Sequence, residues 1–285
     1  MEFLTLNTGA KMPLEGFGVF QIPDAAECEK VTYEAIRTGY RLIDTATAYF
    51  NEEAVGKAVA RAIADGITTR EELFITTKVW VSDMGTEEAA YEAVKASLKR
   101  LGMDYADLIL LHQPMSDYFA AYRGITKAYK EGLTKAIGVA NFYPAILANF
   151  CETVEVIPAV NQVELHPYFV QQAAIETMKA YGVVPQAWGP LAEGKHGIFT
   201  DPELTAIGEK YGKTAAQVAL KWNAQRGVSI IPKSVHVERM EQNLDIWDFT
   251  LTDAEMQTIA AKDLGHSEIV NHDDPAFVKF IHNYR

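Results

Sequence analysis

The chain has 285 residues, 48% of them hydrophobic, with 38 acidic against 26 basic side chains and a net charge of -12. That apolar content can bury a large core, while the acidic balance repels a phosphate backbone and an anionic membrane surface, which argues against nucleic-acid and membrane partners. No apolar stretch approaches the roughly 20 residues that cross a bilayer, and MEFLTLNTGAK carries no basic leader ahead of an apolar core, so a cytoplasmic protein is expected.

The opening FLTLNTGAKMPL sets polar turn residues between two short apolar runs and reads as a β-hairpin able to plug the bottom of a barrel. Strands and helices then alternate. EGFGVF (15–20) precedes helical spacing over 25–38, YRLIDT (40–45) precedes 51–65, LFITTK (73–78) precedes 86–100, and DLILLH (107–112) precedes 118–130. AIGVAN (136–141) follows, then AVNQVEL (159–165) with a helix over 170–180, VPQAWG (184–189) with a helix over 214–225, and VSIIPK (228–233). The strands are near-continuous runs of Val, Ile, Leu and Phe, the pattern of strands buried on both faces in a parallel sheet. Boundaries carry local chemistry. Asp24 and Thr214 stand at helix starts, and Gly39, Gly66, Gly102 and Gly132 stand just past helix ends.

Eight such units predict an α/β chain folded as one (β/α)8 barrel of the TIM type, a single domain over 1–285. Two extra helices, over 237–244 and 253–262, lie beyond the eight-unit plan, and an aromatic tail with Phe277, Phe280 and Tyr284 is expected to fold back over the barrel. An open doubly wound sheet would carry a Gly-rich turn after its first strand, and GFGVF leads into no GxGxxG. The units share no self-similar motif, which disfavours a helical solenoid.

Four polar residues interrupt the apolar strand ends: Asp44 in RLIDTA, Tyr49 shortly after it, Lys78 in FITTK and His112 in LILLH. Asp44, Lys78 and His112 are spaced by 34 residues each time, so equivalent points of successive units face one rim, where barrels of this kind gather reactive groups. Buried there singly they would be costly, and each is the natural partner of the others. A tyrosine, ordinarily titrating at about 10, is drawn downward by a neighbouring ammonium, and a carboxylate keeps that ammonium charged. The set suits protonation of an oxyanion as a carbonyl is reduced: Tyr49 as acid, Lys78 and Asp44 as its tuning pair, His112 bonding the substrate oxygen. Taken one at a time, Asp44 could cap a turn through Thr45 and Thr47, Lys78 could be a solvated strand end, and Tyr49 and His112 could be packing. The joint pattern is what carries information. No HxH or HExxH arrangement points to a metal, the remaining histidines are scattered, and Cys28 and Cys151 read as ordinary reduced thiols.

The segments RLIDTATAYFNEE, FITTKVW, DLILLHQP, IGVANF, VNQVELHP, AWGPL and IPKSVHVERMEQN resemble, in order and spacing, those of the aldo-keto reductases. The WGPL, PKS, NLD and DF stretches are similar to those of the bacterial 2,5-diketo-D-gluconate reductase type. The resemblance implies a monomeric reductase that passes hydride from NADPH to an aldehyde or ketone, with small-molecule carbonyl compounds as substrates. It assigns Tyr49, Lys78, Asp44 and His112 the roles derived above. Asn141 and Gln162 match side chains that grip the nicotinamide carboxamide, Trp188 matches the aromatic that stacks on its ring, and Gly189, Pro190 and Leu191 pass beside the pyrophosphate. Lys233, Ser234, Val235, Arg239, Gln242 and Asn243 match the strip for the adenosine 2'-phosphate and adenine, whose cations favour NADPH over NADH. Phe20, Phe50, Trp80 and Gln113 would wall the substrate pocket.

Three departures bear on preference. Ala140 stands where Ser is common, removing one hydroxyl bond to the carboxamide worth about 0.5–1.5 kcal/mol. Gly189 stands where Ser is frequent. Gln113 replaces the Trp that commonly follows the histidine, which predicts tolerance of hydroxylated substrates. The alternative function is a cofactor-sensing regulatory subunit with little turnover. The complete acid–base set and the lack of a partner-binding extension favour the enzyme.

Overall fold

The structure, a computed structural model, describes residues 2–284. A short antiparallel hairpin, β1 (Phe3–Thr5) and β2 (Lys11–Pro13), comes first. Eight parallel strands follow: β3 (Gly16–Gly18), β4 (Leu42–Asp44), β5 (Phe74–Val79), β6 (Leu108–Leu111), β7 (Ile137–Ala140), β8 (Val160–Glu164), β9 (Val184–Trp188) and β10 (Ser229–Ile230). Each pairs with its neighbour in chain order. The first and last close on each other through a bridge between Glu15 and Ile230 and through Gly18 N–H donating to Pro232 O at 3.1 Å, which makes the sheet a (β/α)8 barrel.

The helices are α1 (Ala25–Thr38), α2 (Glu52–Ala64), α3 (Glu87–Leu101), α4 (Tyr118–Lys130), α5 (Pro144–Thr153), α6 (Gln172–Ala180), α7 (Pro202–Tyr211), α8 (Ala215–Gln225), α9 (Val237–Leu244), α10 (Asp253–Ala260) and α11 (Pro275–Asn283). The start signals work as their chemistry requires. Asp24 accepts the Glu27 N–H at 2.7 Å, and Thr214 forms a capping box with Gln217. Gly102 ends α3 in the left-handed region at φ 65°, where a Cβ would be strained. Helices α5, α7 and α11 were not among the expected ones. Each opens on a proline at its first turn, and Asp201 and Asp274 cap two of them, a start signal that a proline shares with loops.

Alternation along the strands divides the core in two. In β6, Leu108 and Leu110 point inward to a cluster with Leu6 and Met12 of the hairpin region, while Ile109 and Leu111 point outward to the helices. The hairpin therefore caps the barrel's amino-terminal end, leaving the carboxyl end for polar groups. Lys78 is in register with Leu110 and shares that inward face.

One polar group sits on the seam itself. Glu15 is buried, its Oε2 accepts the Trp247 Nε1–H at 3.2 Å, and its Oε1 is enclosed without a donor among the described residues. Burial pushes its pKa up to about 8 despite the indole bond, so the folded protein holds this carboxyl protonated at neutral pH. Because the folded pKa lies above the unfolded one, the stability this group contributes is complete below about 4.5 and is lost as pH rises toward 8, with a slope of up to about 1.4 kcal/mol per unit. Glu15→Gln should remove that slope. Urea unfolding at pH 5 and pH 8 should show the wild type losing stability relative to the variant over this window.

Candidate active site

Asp44 is the last residue of β4, and Lys78 lies near the end of β5, both inside the barrel. The Lys78 Nζ donates to Asp44 Oδ1 at 2.6 Å, to the Thr45 carbonyl at 2.9 Å and to the Tyr49 hydroxyl at 3.2 Å, which uses all three ammonium protons. Lys78 has 0% side-chain exposure, so these three bonds replace its hydration. Tyr49 arrives on a one-turn 3-10 helix, Thr47–Tyr49, that ends in Phe50 at φ 56°. Asn51 pins this turn by accepting the Thr45 hydroxyl at 2.7 Å and donating to the Val19 carbonyl at 3.0 Å.

Burial pushes the Tyr49 phenol above its ordinary range, and the Lys78 ammonium pulls in the other direction without overcoming it. The downward net shift expected from the lysine alone is thus corrected: desolvation of the phenolate outweighs the neighbouring charge. Burial also opposes charge on Lys78, but Asp44 and then Tyr49 more than compensate, and its pKa ends above the usual lysine value. The site rests as a protonated phenol beside a charged ammonium.

His112 follows β6 and presents its ring edge to Tyr49 at 5.6 Å and to Trp80 at 4.9 Å between centroids. Burial, then the Lys78 charge and then His272 hold its pKa well below the histidine range, so the imidazole is neutral. Its Nδ1 is enclosed without a partner among the described residues. Asn141, just after β7, sits in the left-handed region at φ 64°, which asparagine tolerates better than most residues. Its amide donates to the His112 carbonyl at 3.0 Å and accepts the Trp188 indole N–H at 2.9 Å, fastening three strand ends together.

Behind these groups a polar chain crosses the barrel. Gln162 Nε2 donates to Asp44 Oδ2 and to Gln186 Oε1, both at 2.8 Å, and Gln186 Nε2 reaches Ser229 Oγ at 3.1 Å. Both Asp44 oxygens are therefore bonded, and Gln162 keeps its carbonyl oxygen for another donor. Gln186 and Ser229 were not foreseen. The signal was a lone polar residue inside each of the last two apolar strand runs.

All of this opens on one cavity of about 600 Å³. Asp44, Tyr49, His112, Asn141, Gln162 and Trp188 line it, as do Gly189, Pro190, Leu191 and Lys233, while Lys78 stands behind Asp44 and Tyr49. Phe20, Trp80 and Gln113 also line it; Phe50 does not, being 70% exposed and directed at Tyr284 with rings 6.3 Å apart. Ser234, Val235, Arg239, Gln242 and Asn243 lie outside the cavity, around the start and body of α9. Ser234 there turns inward, its hydroxyl accepting the His236 N–H at 3.0 Å, and Asn243 is buried, while Arg239 and Gln242 are exposed. The segment after His112 contributes nothing to the wall beyond Gln113. Glu193 and Phe199 from the loop after β9, and His272, Phe280 and Tyr284 from the tail, complete the wall. The Trp80 indole donates to the Tyr284 carbonyl at 2.9 Å, so the tail does fold back over the barrel.

The model of the Aldo/keto reductase family matches residues 16–264. The chain is 42% identical over 276 residues to morphine 6-dehydrogenase of Pseudomonas putida, covering 92% of this chain and 91% of that protein. It is 41% identical over 267 residues to a methylglyoxal reductase of Escherichia coli strain K12, covering 92% and 94%. Among solved structures, a Bombyx mori aldo-keto reductase in complex with NADP superimposes with a TM-score of 0.91 at 34% identity, covering 96% of each chain.

Proposed function

The chain belongs to the aldo/keto reductase family, and from that premise we propose that it reduces aldehyde or ketone carbonyls to alcohols with NADPH, Tyr49 giving the proton. Sugar-derived keto acids and dicarbonyl compounds are the favoured substrates, in keeping with a relative named for methylglyoxal. The observation that carries this reading is the Lys78 ammonium bonded at once to the Asp44 carboxylate and the Tyr49 hydroxyl at the wall of the cavity.

When bound, the nicotinamide of NADPH supplies the hydride. The residues present fit such a group. The Trp188 ring, the Asn141 and Gln162 amides and the backbone of Gly189, at φ 56°, line the cavity beside Tyr49, and Lys233 and Arg239 stand exposed near the start of α9. Asn141 retains a free amide proton and a lone pair after its two bonds, and Gln162 retains its carbonyl oxygen, so both can hold a carboxamide without breaking the network. Lys233 and Arg239 are the groups for a 2'-phosphate, which favours NADPH over NADH.

Tyr49 must be protonated when the carbonyl arrives, and its raised pKa keeps it so at neutral pH. As charge develops on the substrate oxygen, that oxygen becomes far more basic than a phenolate, and the proton moves down a gradient. The phenolate left behind faces the Lys78 ammonium at 3.2 Å. At an effective dielectric of about 20 that attraction is worth about 5 kcal/mol, gained only once the proton has moved. His112, neutral, donates to the substrate oxygen from Nε2 and fixes the carbonyl's angle without adding a repelling charge beside Lys78. The same reading describes a single barrel domain that acts as a cytoplasmic monomer. Among the described residues, no helix is long and apolar enough to cross a membrane.

Tyr49→Phe keeps the ring contacts to Phe20 and His112 and removes the acid. Loss of NADPH absorbance with a panel of aldehydes and ketones should slow by about 10²–10⁴-fold while cofactor binding is unchanged. Consumption at the parent rate would refute the assignment. Arg239→Ala should raise the KM for NADPH by about 10–100-fold and leave the KM for NADH within twofold, the loss of one charge-assisted contact; equal effects on both cofactors would refute a 2'-phosphate role.

A further inference from the structure

His272, from the segment preceding α11, faces the same cavity as Tyr49 and His112. Its Nδ1 lies 3.2 Å from the Tyr143 hydroxyl, with the two rings edge to face at 5.4 Å, and Phe277 packs on it at the same separation. Tyr143 is two residues past Asn141, so the loop that fastens His112 and Trp188 also grips the tail's imidazole.

The proton inventory of this pair allows a tautomer that frees Nε2–H for the cavity. Burial brings the His272 pKa down to about 4 and pushes the Tyr143 phenol far above its usual range, so a neutral imidazole meets an intact hydroxyl. The hydroxyl has no other partner among the described residues, and donating to Nδ1 uses its one proton. With the hydroxyl donating, the imidazole proton sits on Nε2, which makes no bond among the described residues. Gln113, the residue after His112, has a buried side chain that also makes no hydrogen bond among the described residues, with Oε1 enclosed.

We propose that His272 is a specificity-determining residue whose Nε2–H receives a second oxygen of the substrate, on the carbon next to the carbonyl being reduced, and that Tyr143 is the positioning residue that holds it in that tautomer. The proposal rests on the reductase reading and deepens it. The ligand class is the 1,2-dicarbonyl compound. Tyr49 and His112 take one oxygen, and the neighbouring donor requires an acceptor that a simple aldehyde lacks. A substrate that leaves such a donor unpaired is penalised more than one that merely lacks a methyl contact.

Phenylglyoxal and phenylacetaldehyde differ at the carbon beside the aldehyde, a carbonyl in one and a methylene in the other. In steady-state assays with NADPH, His272→Leu should lower kcat/KM for phenylglyoxal by about tenfold, chiefly through KM, and leave phenylacetaldehyde within twofold. Tyr143→Phe should act in the same direction by about threefold, and His272→Gln, which restores a donor, should recover most of the loss. Equal losses on both compounds, or none on either, would overturn the proposal and leave the reductase reading standing. Wild-type protein that turned over neither compound would overturn both.

Discussion

A lysine ammonium with no exposure to water can exist inside a barrel only if every proton finds an acceptor and a carboxylate balances its charge. Lys78 meets that demand through Asp44, the Thr45 carbonyl and Tyr49. Removing one partner of such a pair typically costs about 3–5 kcal/mol, because the other charge is left buried and alone. The need propagates. Asp44 must present one oxygen to the lysine, so its other oxygen is held by Gln162, which is held in turn by Gln186, and that by Ser229. Tyr49 is the third acceptor, and its one-turn helix is pinned by Asn51 so that the hydroxyl stays within reach. The chemistry proposed for Tyr49 is thus a use of a bond that the fold already requires.

The barrel makes this arrangement affordable by separating its ends. The hairpin fills the amino-terminal end with Leu6 and Met12, so the interior there is mostly apolar and the charged groups gather at the carboxyl end. Asn141 then links the outer tips, since its strained backbone lets one short amide reach both the His112 carbonyl and the Trp188 indole. A side chain of other length would lose one of the two. The cavity's remaining wall comes from segments remote in sequence, the loop after β9 and the tail, which tie down through bonds such as that between Trp80 and the Tyr284 carbonyl.

The eight strands and eight of the helices were legible because continuous β-branched runs and helical spacing are local properties. Helices α5, α7 and α11 were not, because the prolines that mark their starts, Pro144, Pro202 and Pro275, serve equally as loop punctuation in a sequence. The convergence of Asp44, Lys78 and His112 was legible for a different reason: they are costly residues in apolar runs at equal intervals, and cost demands partners. Gln186 and Ser229 carry no charge, so their place in the polar chain left only a faint mark. The direction of the Tyr49 shift was misjudged since burial, which outweighs the lysine, is a property of the assembled cavity rather than of any neighbour in sequence. His272, Phe280 and Tyr284 reach the site only by tertiary folding of the tail, and nothing local announces where a tail will dock.

The claim on which the rest stands is that Lys78 lowers the free energy of the Tyr49 phenolate against the pull of burial. The most direct measurement is the titration of the Tyr49 ring by NMR of ¹³Cζ-labelled tyrosine, assigned by loss of the signal in a phenylalanine variant, in the wild type and in an Asp44→Asn/Lys78→Met double variant that leaves no buried charge unpaired. The lysine's attraction outweighs the aspartate's repulsion at Tyr49, so the phenol of the double variant should titrate higher than the wild type's by about 1–3 units. An unchanged or lower value would mean that the ammonium does not stabilise the phenolate, and the account would fail.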